Sequence, residues 1–212
     1  MTSENLHVRT GERVTLAVPA TGAGTGLLLR PWAEHDIPAM LAAHRDPLMR
    51  RWLRRPLVTE EQARQLIEAQ RADRRAGTAF GFAIVPAEPD GDAGPLAGYV
   101  SVRGLAAESA TAEVGYWITA AARGQGIAGR AVNAVREWAV RLPRATPLER
   151  FHLIHTIGNQ ASCRVADKTG FRLSATLPPQ PPDFPGPGHL HIWTPERLPV
   201  VVTVLRRDGA WR

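Results

Sequence analysis

The sequence contains very little cysteine and very little lysine. Cys163 is the only cysteine and Lys168 the only lysine among the 212 residues. A single cysteine excludes an intramolecular disulfide and argues against a cysteine-rich metal site. The sequence also lacks an apolar run near the roughly 20 residues of a membrane-spanning helix. Residues 1–10 lack the basic and apolar segments of a secretory signal, so we expect a cytoplasmic protein that is not inserted in a membrane.

The basic charge of the chain is carried almost entirely by arginine. The formal net charge is +6 and the sequence pI is about 10.8, a balance that suits nucleic acid, an anionic cofactor or an acidic partner. The arginines are scattered, and the sequence has no run of five or more like charges. This pattern does not favour a dedicated nucleic-acid surface.

Length and composition indicate one folded domain with terminal extensions. With 44% hydrophobic residues the chain can bury a sizeable core. We expect an N-terminal extension at 1–26, the domain at 27–195 and a C-terminal extension at 196–212, where residues 199–205 could add an edge strand. Hydrophobic alternation predicts strands at 27–30, 80–85, 96–104, 111–118 and 150–157, followed by a last pair of strands.

Helix signals lie between these strands. Asp36 is expected to cap a first helix, and Thr59 with Gln62 has the spacing of a capping box for a second. Asp90 and Gly91 favour a hairpin turn between two strands. The chain is therefore a mixed α/β sequence whose early strands form a meander.

Three glycines lie where the strand 111–118 gives way to a predicted helix. Gly124, Gly126 and Gly129 each cost helix propensity, about 1 kcal/mol in a helix interior. Small residues at a helix N-terminus leave backbone N–H groups accessible to an anion. A Walker loop is excluded because no Gly-Lys is followed by Ser or Thr, and a dinucleotide fold is disfavoured because residues 142–144 contain no acid. An anion-binding loop and an ordinary glycine-rich turn are the two interpretations that remain.

Three motifs that follow one another along the chain favour the anion-binding loop over the ordinary turn. The segments "AEVGYWI", "ARGQGIAGRAV" and "GNQASCRVADKTGF" resemble the GCN5-related N-acetyltransferase (GNAT) superfamily, and most closely its branch of ribosomal-protein N-terminal acetyltransferases. Arg123, Gly126 and Ala128 fit the Arg/Gln-x-x-Gly-x-Gly/Ala signature of that superfamily. The resemblance covers about residues 27–195. It implies an α/β (α+β) fold, with a mixed, mostly antiparallel central sheet, a splayed parallel pair of strands and flanking helices.

The resemblance also implies acetyl-CoA as the acyl donor, bound between the strands 111–118 and 150–157. The backbone of Trp117 and Ile118 would contact the pantetheine arm. Asn159 would touch the cofactor while capping its helix, a plain cap being the alternative. The pyrophosphate would be held by Arg123, Gly124, Gln125, Gly126, Ile127, Ala128 and Gly129.

No metal is expected from the sequence. His189 and His191 alternate onto one face of a predicted strand. Two histidines without a third ligand make a poor case for a metal site.

Acyl transfer to an amine needs a polarised carbonyl and a proton for the departing thiolate. By the resemblance, a backbone N–H near Ile118 polarises the thioester carbonyl. Ser162, in "NQAS", is the expected proton donor or thiolate stabiliser. The alternative is that Ser162 only satisfies an N–H group in the first turn of its helix.

The sequence differs from the related enzymes in its candidates for the general base. The related enzymes carry a glutamate between their last two strands. The corresponding segment 178–188, "PPQPPDFPGPG", contains no glutamate. Asp183 is the nearest acid, Glu113 could act through water, and His155 could accept a proton near neutral pH. The alternative for Glu113 is a surface carboxylate, and the alternative for His155 is a hydrogen-bonded core histidine. Attack by an amine that is already deprotonated is a further route.

Together these features predict an acetyl-CoA-dependent N-acyltransferase. The acceptor would be a primary amine of a protein N-terminus or of a small molecule, and the acyl group acetyl or another short chain. The alternative, motivated by the missing glutamate, is a catalytically silent acyl-CoA-binding sensor or interaction module. The oligomeric state is open, although the terminal extensions could serve a homodimer.

Overall fold

Eight strands form a single sheet in the described part of the chain. The computed structural model describes residues 14–22, 24–53, 55–87, 94–181 and 185–195. The strands are β1 (Leu16–Val18), β2 (Leu27–Arg30), β3 (Ala79–Pro86), β4 (Gly98–Arg103), β5 (Thr111–Ile118), β6 (Arg150–Thr156), β7 (Arg172–Leu177) and β8 (Gly188–Trp193). The helices are α1 (Ile37–His44), α2 (Pro47–Trp52), α3 (Glu60–Ala76), α4 (Ile127–Val140) and α5 (Gln160–Lys168). None of these helices is long and apolar enough to cross a bilayer.

The sheet has the order β1-β2-β3-β4-β5-β6-β8-β7. Every neighbouring pair is antiparallel except β5 and β6, which run parallel. Their pairing covers only three positions, the last of which joins Glu113 to His152. Beyond that position β5 continues to Ile118 and β6 to Thr156 without pairing to each other. The predicted fold class, with a splayed parallel pair in a mostly antiparallel sheet, is confirmed.

Helices cover both faces of the sheet, because side chains alternate along each strand. On β3, Phe82 and Ile84 belong to the larger buried cluster beneath α4, whereas Ala83 belongs to a second cluster beneath α1 and α3. Trp138 of α4 is fully buried, with its ring centroid 4.8 Å from that of Phe80 and 5.8 Å from that of Phe82. Truncating such a residue typically costs about 3–5 kcal/mol, so α4 is firmly attached to the sheet.

The predicted strands agree with the structure to within two residues, and the capping box is confirmed. The Thr59 side chain accepts a hydrogen bond from the Gln62 N–H, and the Gln62 side chain reaches back to the Thr59 backbone. Asp36 occupies the predicted N-cap position of α1, but its side chain makes no cap hydrogen bond to this helix. Its buried carboxylate instead accepts two hydrogen bonds from Arg30, at 2.7 and 2.8 Å, and one from the Ala33 N–H at 2.8 Å. Charge-assisted, bidentate bonds of this kind are stronger than a neutral cap.

Part of the segment expected as an N-terminal extension packs on the same sheet. β1 pairs with β2, and Val14 and Leu16 are buried in the cluster beneath α4. The Arg130 side chain of α4 donates a hydrogen bond of 2.7 Å to the carbonyl oxygen of Pro19. The predicted strand at 199–205 and the predicted turn at 90–91 lie outside the described residues.

Replacing Asp36 with Asn is expected to lower the free energy of unfolding by about 3 kcal/mol near pH 7, because Arg30 loses its anion. Burial raises the pKa of Asp36, but the hydrogen bonds from Arg30 and Ala33 outweigh it and hold the pKa below its usual value. The stabilisation is therefore present above the unfolded-state pKa of about 3.9. It is lost as pH falls through the lower folded-state value.

Urea unfolding at about pH 7 and about pH 2 measures this effect, and the difference between the two proteins should shrink at the lower pH. Glu60→Gln is the matched control, because it breaks the exposed Arg64–Glu60 pair at 2.8 Å. Exposed pairs of this kind contribute about 0.5 kcal/mol or less. Equal losses in the two variants would show that Asp36 does not anchor β2 to the turn before α1.

Candidate functional site

The parting of β5 and β6 opens a gap in the middle of the sheet. The N–H of Thr119 donates to the carbonyl of Ala97 at 2.9 Å, on the β4 side. Because backbone groups alternate in direction along a strand, those of Tyr116 and Ile118 point away from β4, towards the gap. Buried backbone groups need partners. An extended ligand that hydrogen-bonds like a strand would supply them.

The mouth of this gap leads to the N-terminus of α4. Gly126 is the N-cap, with a φ of 72°, and Gly124 before it has a φ of 80°. Both values lie in the left-handed region that favours glycine. No side chain among the described residues caps this helix, and its first helical bond runs from the Arg130 N–H to the Gly126 carbonyl at 3.3 Å.

The N–H groups of residues 127–129 therefore have no partner within the helix. They carry the partial positive charge of the helix dipole. Such an arrangement suits an anion, and the predicted binding of an anion by the backbone of Ile127, Ala128 and Gly129 stays a prediction. The Ile127 side chain is itself buried in the core, so it anchors the start of the helix.

The long side chains of the loop have protein partners. A guanidinium nitrogen of Arg123 lies 3.0 Å from a carboxylate oxygen of Asp46. The other carboxylate oxygen of Asp46 accepts hydrogen bonds from the Leu48 and Met49 N–H groups at the start of α2. The Gln125 side chain donates to the Ala121 carbonyl at 2.9 Å. Arg123 and Gln125 thus hold the shape of the loop. The groups of the loop that remain for an anion are its backbone N–H groups.

Two hydroxyl groups bridge the gap on the face that carries α4 and α5. Tyr116 of β5 donates a hydrogen bond of 3.1 Å to the Oγ of Ser162, which is buried in the first turn of α5. Burial raises the pKa of Tyr116 to about 12, although the hydrogen bond to Ser162 lowers it. The Tyr116 hydroxyl is therefore protonated near neutral pH and can stabilise negative charge through Ser162.

Tyr116 is not among the site residues predicted from the sequence. A signal for it was present, since Val114, Tyr116 and Ile118 share one face of β5. Asn159 has the cap role that the sequence predicted, and its side-chain oxygen accepts the Ser162 N–H at 3.3 Å. A contact between Asn159 and a cofactor stays a prediction.

The three candidate bases have different surroundings. Glu113 lies in the paired part of β5, before the gap opens, and forms an ion pair with Arg103. Both ring nitrogens of the buried His155 have neighbours, because Nδ1 lies 2.9 Å from the Thr156 carbonyl and Nε2 lies 3.1 Å from Nε2 of His191. Asp183 lies outside the described residues.

The surroundings of His155 also affect the protonation of its ring. Burial lowers the pKa of His155, although a backbone hydrogen bond at Thr156 raises it. The His155 ring is thus neutral near pH 7, but it is enclosed by protein groups. Both described candidates are thus engaged in contacts with other protein groups.

Trp117 faces the other side of the sheet, towards α1 and α3. Its ring centroid lies 6.1 Å from that of Trp32, 6.0 Å from that of Tyr99 and 5.5 Å from that of His44. Its carbonyl oxygen faces Gly98 of β4. The expectation that the Trp117 backbone contacts a cofactor is therefore disfavoured, because Ile118 and not Trp117 directs its backbone to the gap.

The matching family model is described as an acetyltransferase (GNAT) domain, and it matches residues 26–172. Among curated proteins no relative is found. Among solved structures, one similar chain is RimL, a ribosomal L7/L12 α-N-protein acetyltransferase in complex with coenzyme A. It has a TM-score of 0.69 and 22% identity over 84% of this chain and 97% of RimL.

Two further structures show the same fold. RimJ of Mycobacterium smegmatis, in complex with CoA-disulfide, has a TM-score of 0.67 and 23% identity over 88% of each chain. The microcin C7 self-immunity acetyltransferase MccE, in complex with acetyl-CoA and AMP, has a TM-score of 0.67 and 19% identity. It covers 79% of this chain and 92% of MccE.

Proposed function

The chain belongs to the GNAT acetyltransferase family, and we propose that it acetylates the α-amino group of a peptide or protein N-terminus. It is an N-acetyltransferase whose acyl donor is acetyl-CoA. The observation that carries the proposal is the open gap between β5 and β6, which leads to the uncapped start of α4. A cytoplasmic location and a homodimer stay predictions from the sequence.

The residues of the gap fit the donor. Acetyl-CoA supplies an activated acetyl group as a thioester and a diphosphate with two negative charges. The N–H groups at the start of α4 and the open loop at Gly124 and Gly126 suit the diphosphate. The backbone of Tyr116 and Ile118 suits the amide-bearing arm, as an added strand would.

The proposed role of the protein in the reaction is to stabilise charge. As the amine nitrogen bonds to the thioester carbon, the Ile118 N–H donates to the oxygen that becomes negative. When the carbon–sulfur bond breaks, the Ser162 hydroxyl gives its proton to the thiolate or hydrogen-bonds to it, and the Tyr116 hydroxyl supports Ser162. A Ser162 oxygen that has given up its proton regains one from water. The new amide loses the extra proton of the attacking nitrogen to water.

The choice of an α-amino group follows from the surroundings of the candidate bases. Glu113 is engaged with Arg103, and His155 is enclosed by Thr156 and His191. Asp183 lies outside the described residues. Since both described candidates are engaged in other contacts, we propose that the acceptor arrives neutral. With a pKa near 7.7, about two-fifths of α-amino groups are neutral at pH 7.5, against about 0.1% of lysine side chains with a pKa near 10.4.

Two matched peptides test this function. One has a free N-terminus and no lysine, and the other has a blocked N-terminus and one lysine. With acetyl-CoA, the first should release free thiol and gain an acetyl group by mass spectrometry, and its kcat/KM should rise with pH up to about 8.

Preference for the lysine peptide would contradict the base-free mechanism. Acetylation of small α-amines but of no peptide would place the acceptor among small molecules. Tight acetyl-CoA binding without turnover on any amine would favour the alternative of a silent sensor.

Gly126→Ala is expected to weaken acetyl-CoA binding about tenfold or more. A Cβ at a φ of 72° strains the loop and projects where the diphosphate approaches the backbone. Isothermal titration calorimetry measures the Kd.

Gly77→Ala is the matched control, because Gly77 has a φ of 70° and, like Gly126, no atom within 4 Å of an added Cβ. The control should lose a similar stability, about 1 kcal/mol, and keep the Kd of the unmodified protein. An unchanged Kd in Gly126→Ala would remove the loop from the donor site.

Ser162→Ala is expected to lower kcat about a hundredfold and to leave the Kd for acetyl-CoA within about twofold. Tyr116→Phe should lower kcat less, because the Ser162 hydroxyl remains. Ser101→Ala is the control, since Ser101 donates to the Gly115 carbonyl at 3.4 Å and not to this pair. If Ser162→Ala loses binding and turnover equally, Ser162 has a structural role only.

A further inference from the structure

Four side chains with metal-ligating atoms meet where α5 packs on β6 and β8. They are His155 of β6, Cys163 of α5, and His189 and His191 of β8. One ligating atom from each lies within 4.8 Å of the other three, and His155 and His191 are only 7% and 2% exposed. We propose that this cluster binds one zinc(II) ion, at a site separate from the donor site.

The distances within the cluster approach those of a tetrahedral zinc site. The Cys163 Sγ lies 3.5 Å from Nε2 of His155 and 3.5 Å from Nδ1 of His189. The Nε2 atoms of His155 and His191 are 3.1 Å apart. Tetrahedral zinc with bonds of about 2.05 Å to nitrogen and about 2.3 Å to sulfur places ligand atoms about 3.3–3.6 Å apart. All pairs of ligating atoms lie within 4.8 Å, so binding of the ion requires only that the wider pairs draw closer.

The sheet register explains why these residues meet. His155 lies directly opposite His189 in the antiparallel pair of β6 and β8, and His191 lies two residues further along the same face. Cys163 reaches the cluster from α5, whose start is fixed by the Asn159 cap. The sequence argument against a metal site considered the single cysteine and the pair His189 and His191, and the fold brings His155 and Cys163 beside that pair.

The hydrogen bonding of His155 prepares it to be a ligand. Its Nδ1 lies 2.9 Å from the Thr156 carbonyl, which can only accept, so Nδ1 carries the proton. The unprotonated Nε2 then points to Cys163 and His191. Metal-bound histidines commonly have such a carbonyl partner on the other ring nitrogen.

The donor set indicates which metal binds and what it does. One thiolate and three imidazoles suit zinc and the neighbouring late transition metals, and they do not suit magnesium or calcium. Four protein ligands leave no open position, so the site is structural. On binding, the Cys163 thiol releases its proton to solvent. The ion would then hold α5 against β8, and with α5 the adjacent Ser162.

Untagged protein, stripped with EDTA and dialysed under reducing conditions, tests the site without any acyl donor. Titration with cobalt(II) should give one equivalent of a complex with intense visible bands and a thiolate-to-cobalt charge-transfer band. Zinc(II) should displace the cobalt. A hundredfold excess of zinc over its Kd should raise the melting temperature by about 5–10 °C.

Cys163→Ser should abolish the charge-transfer band, and His189→Ala should weaken zinc binding at least tenfold. His189 is only partly buried, so His189→Ala keeps the test valid if Cys163→Ser fails to fold. His152→Ala is the matched control, because His152 lies on β6 but on the opposite face from His155. The control should bind zinc like the unmodified protein.

Absence of cobalt bands in the unmodified protein would overturn the site, and so would unmodified zinc affinity in both ligand variants. The four residues would then form only a hydrogen-bonded cluster. Failure of the zinc site would leave the acetyl-transfer proposal untouched, because zinc binding is measured without acetyl-CoA.

Discussion

The interruption of the β-ladder between β5 and β6 is the feature on which the rest of the structure depends. The two strands pair at three positions and then diverge, while β4 and β8 hold their outer edges. Hydrogen bonding that a continuous sheet would use internally is thereby left for a ligand. The loop after β5 brings the uncapped N-terminus of α4 to the same opening. The divergence of the two strands therefore places an unpaired strand edge beside an uncapped helix start, and we propose that the first binds the extended arm of the donor and the second its diphosphate.

Side-chain contacts hold the elements around the gap and leave the backbone edge of β5 unused. Arg123 ties the glycine-rich loop to Asp46 at the start of α2. Tyr116 and Ser162 join β5 to α5 across the opening. Trp138 attaches α4 to the sheet through Phe80 and Phe82. Binding therefore meets a largely preformed site, and little of the free energy of association is spent on ordering the protein.

The sequence allowed prediction of the features that depend on neighbours close along the chain. Alternation located strands β2 to β8 but not β1, the Thr59 and Gln62 pair located the start of α3, and the glycines located a loop whose Gly124 and Gly126 do have positive φ. The short helix α2 was missed although Asp46 and Pro47 form a helix-start signal. Features that depend on distant contacts were not predictable in this way. The pairing of Asp36 with Arg30, the bond between Tyr116 and Ser162, and the meeting of Cys163 with three histidines all require the register of separate elements.

A crystal structure of the protein with bound coenzyme A tests the central claim most directly. The account predicts that the diphosphate accepts hydrogen bonds from the backbone N–H groups of residues 124–129, that the arm pairs with the backbone of Tyr116 and Ile118, and that the sulfur lies near Ser162. A diphosphate bound elsewhere on the molecule, or a continuous ladder between β5 and β6 in the complex, would contradict it.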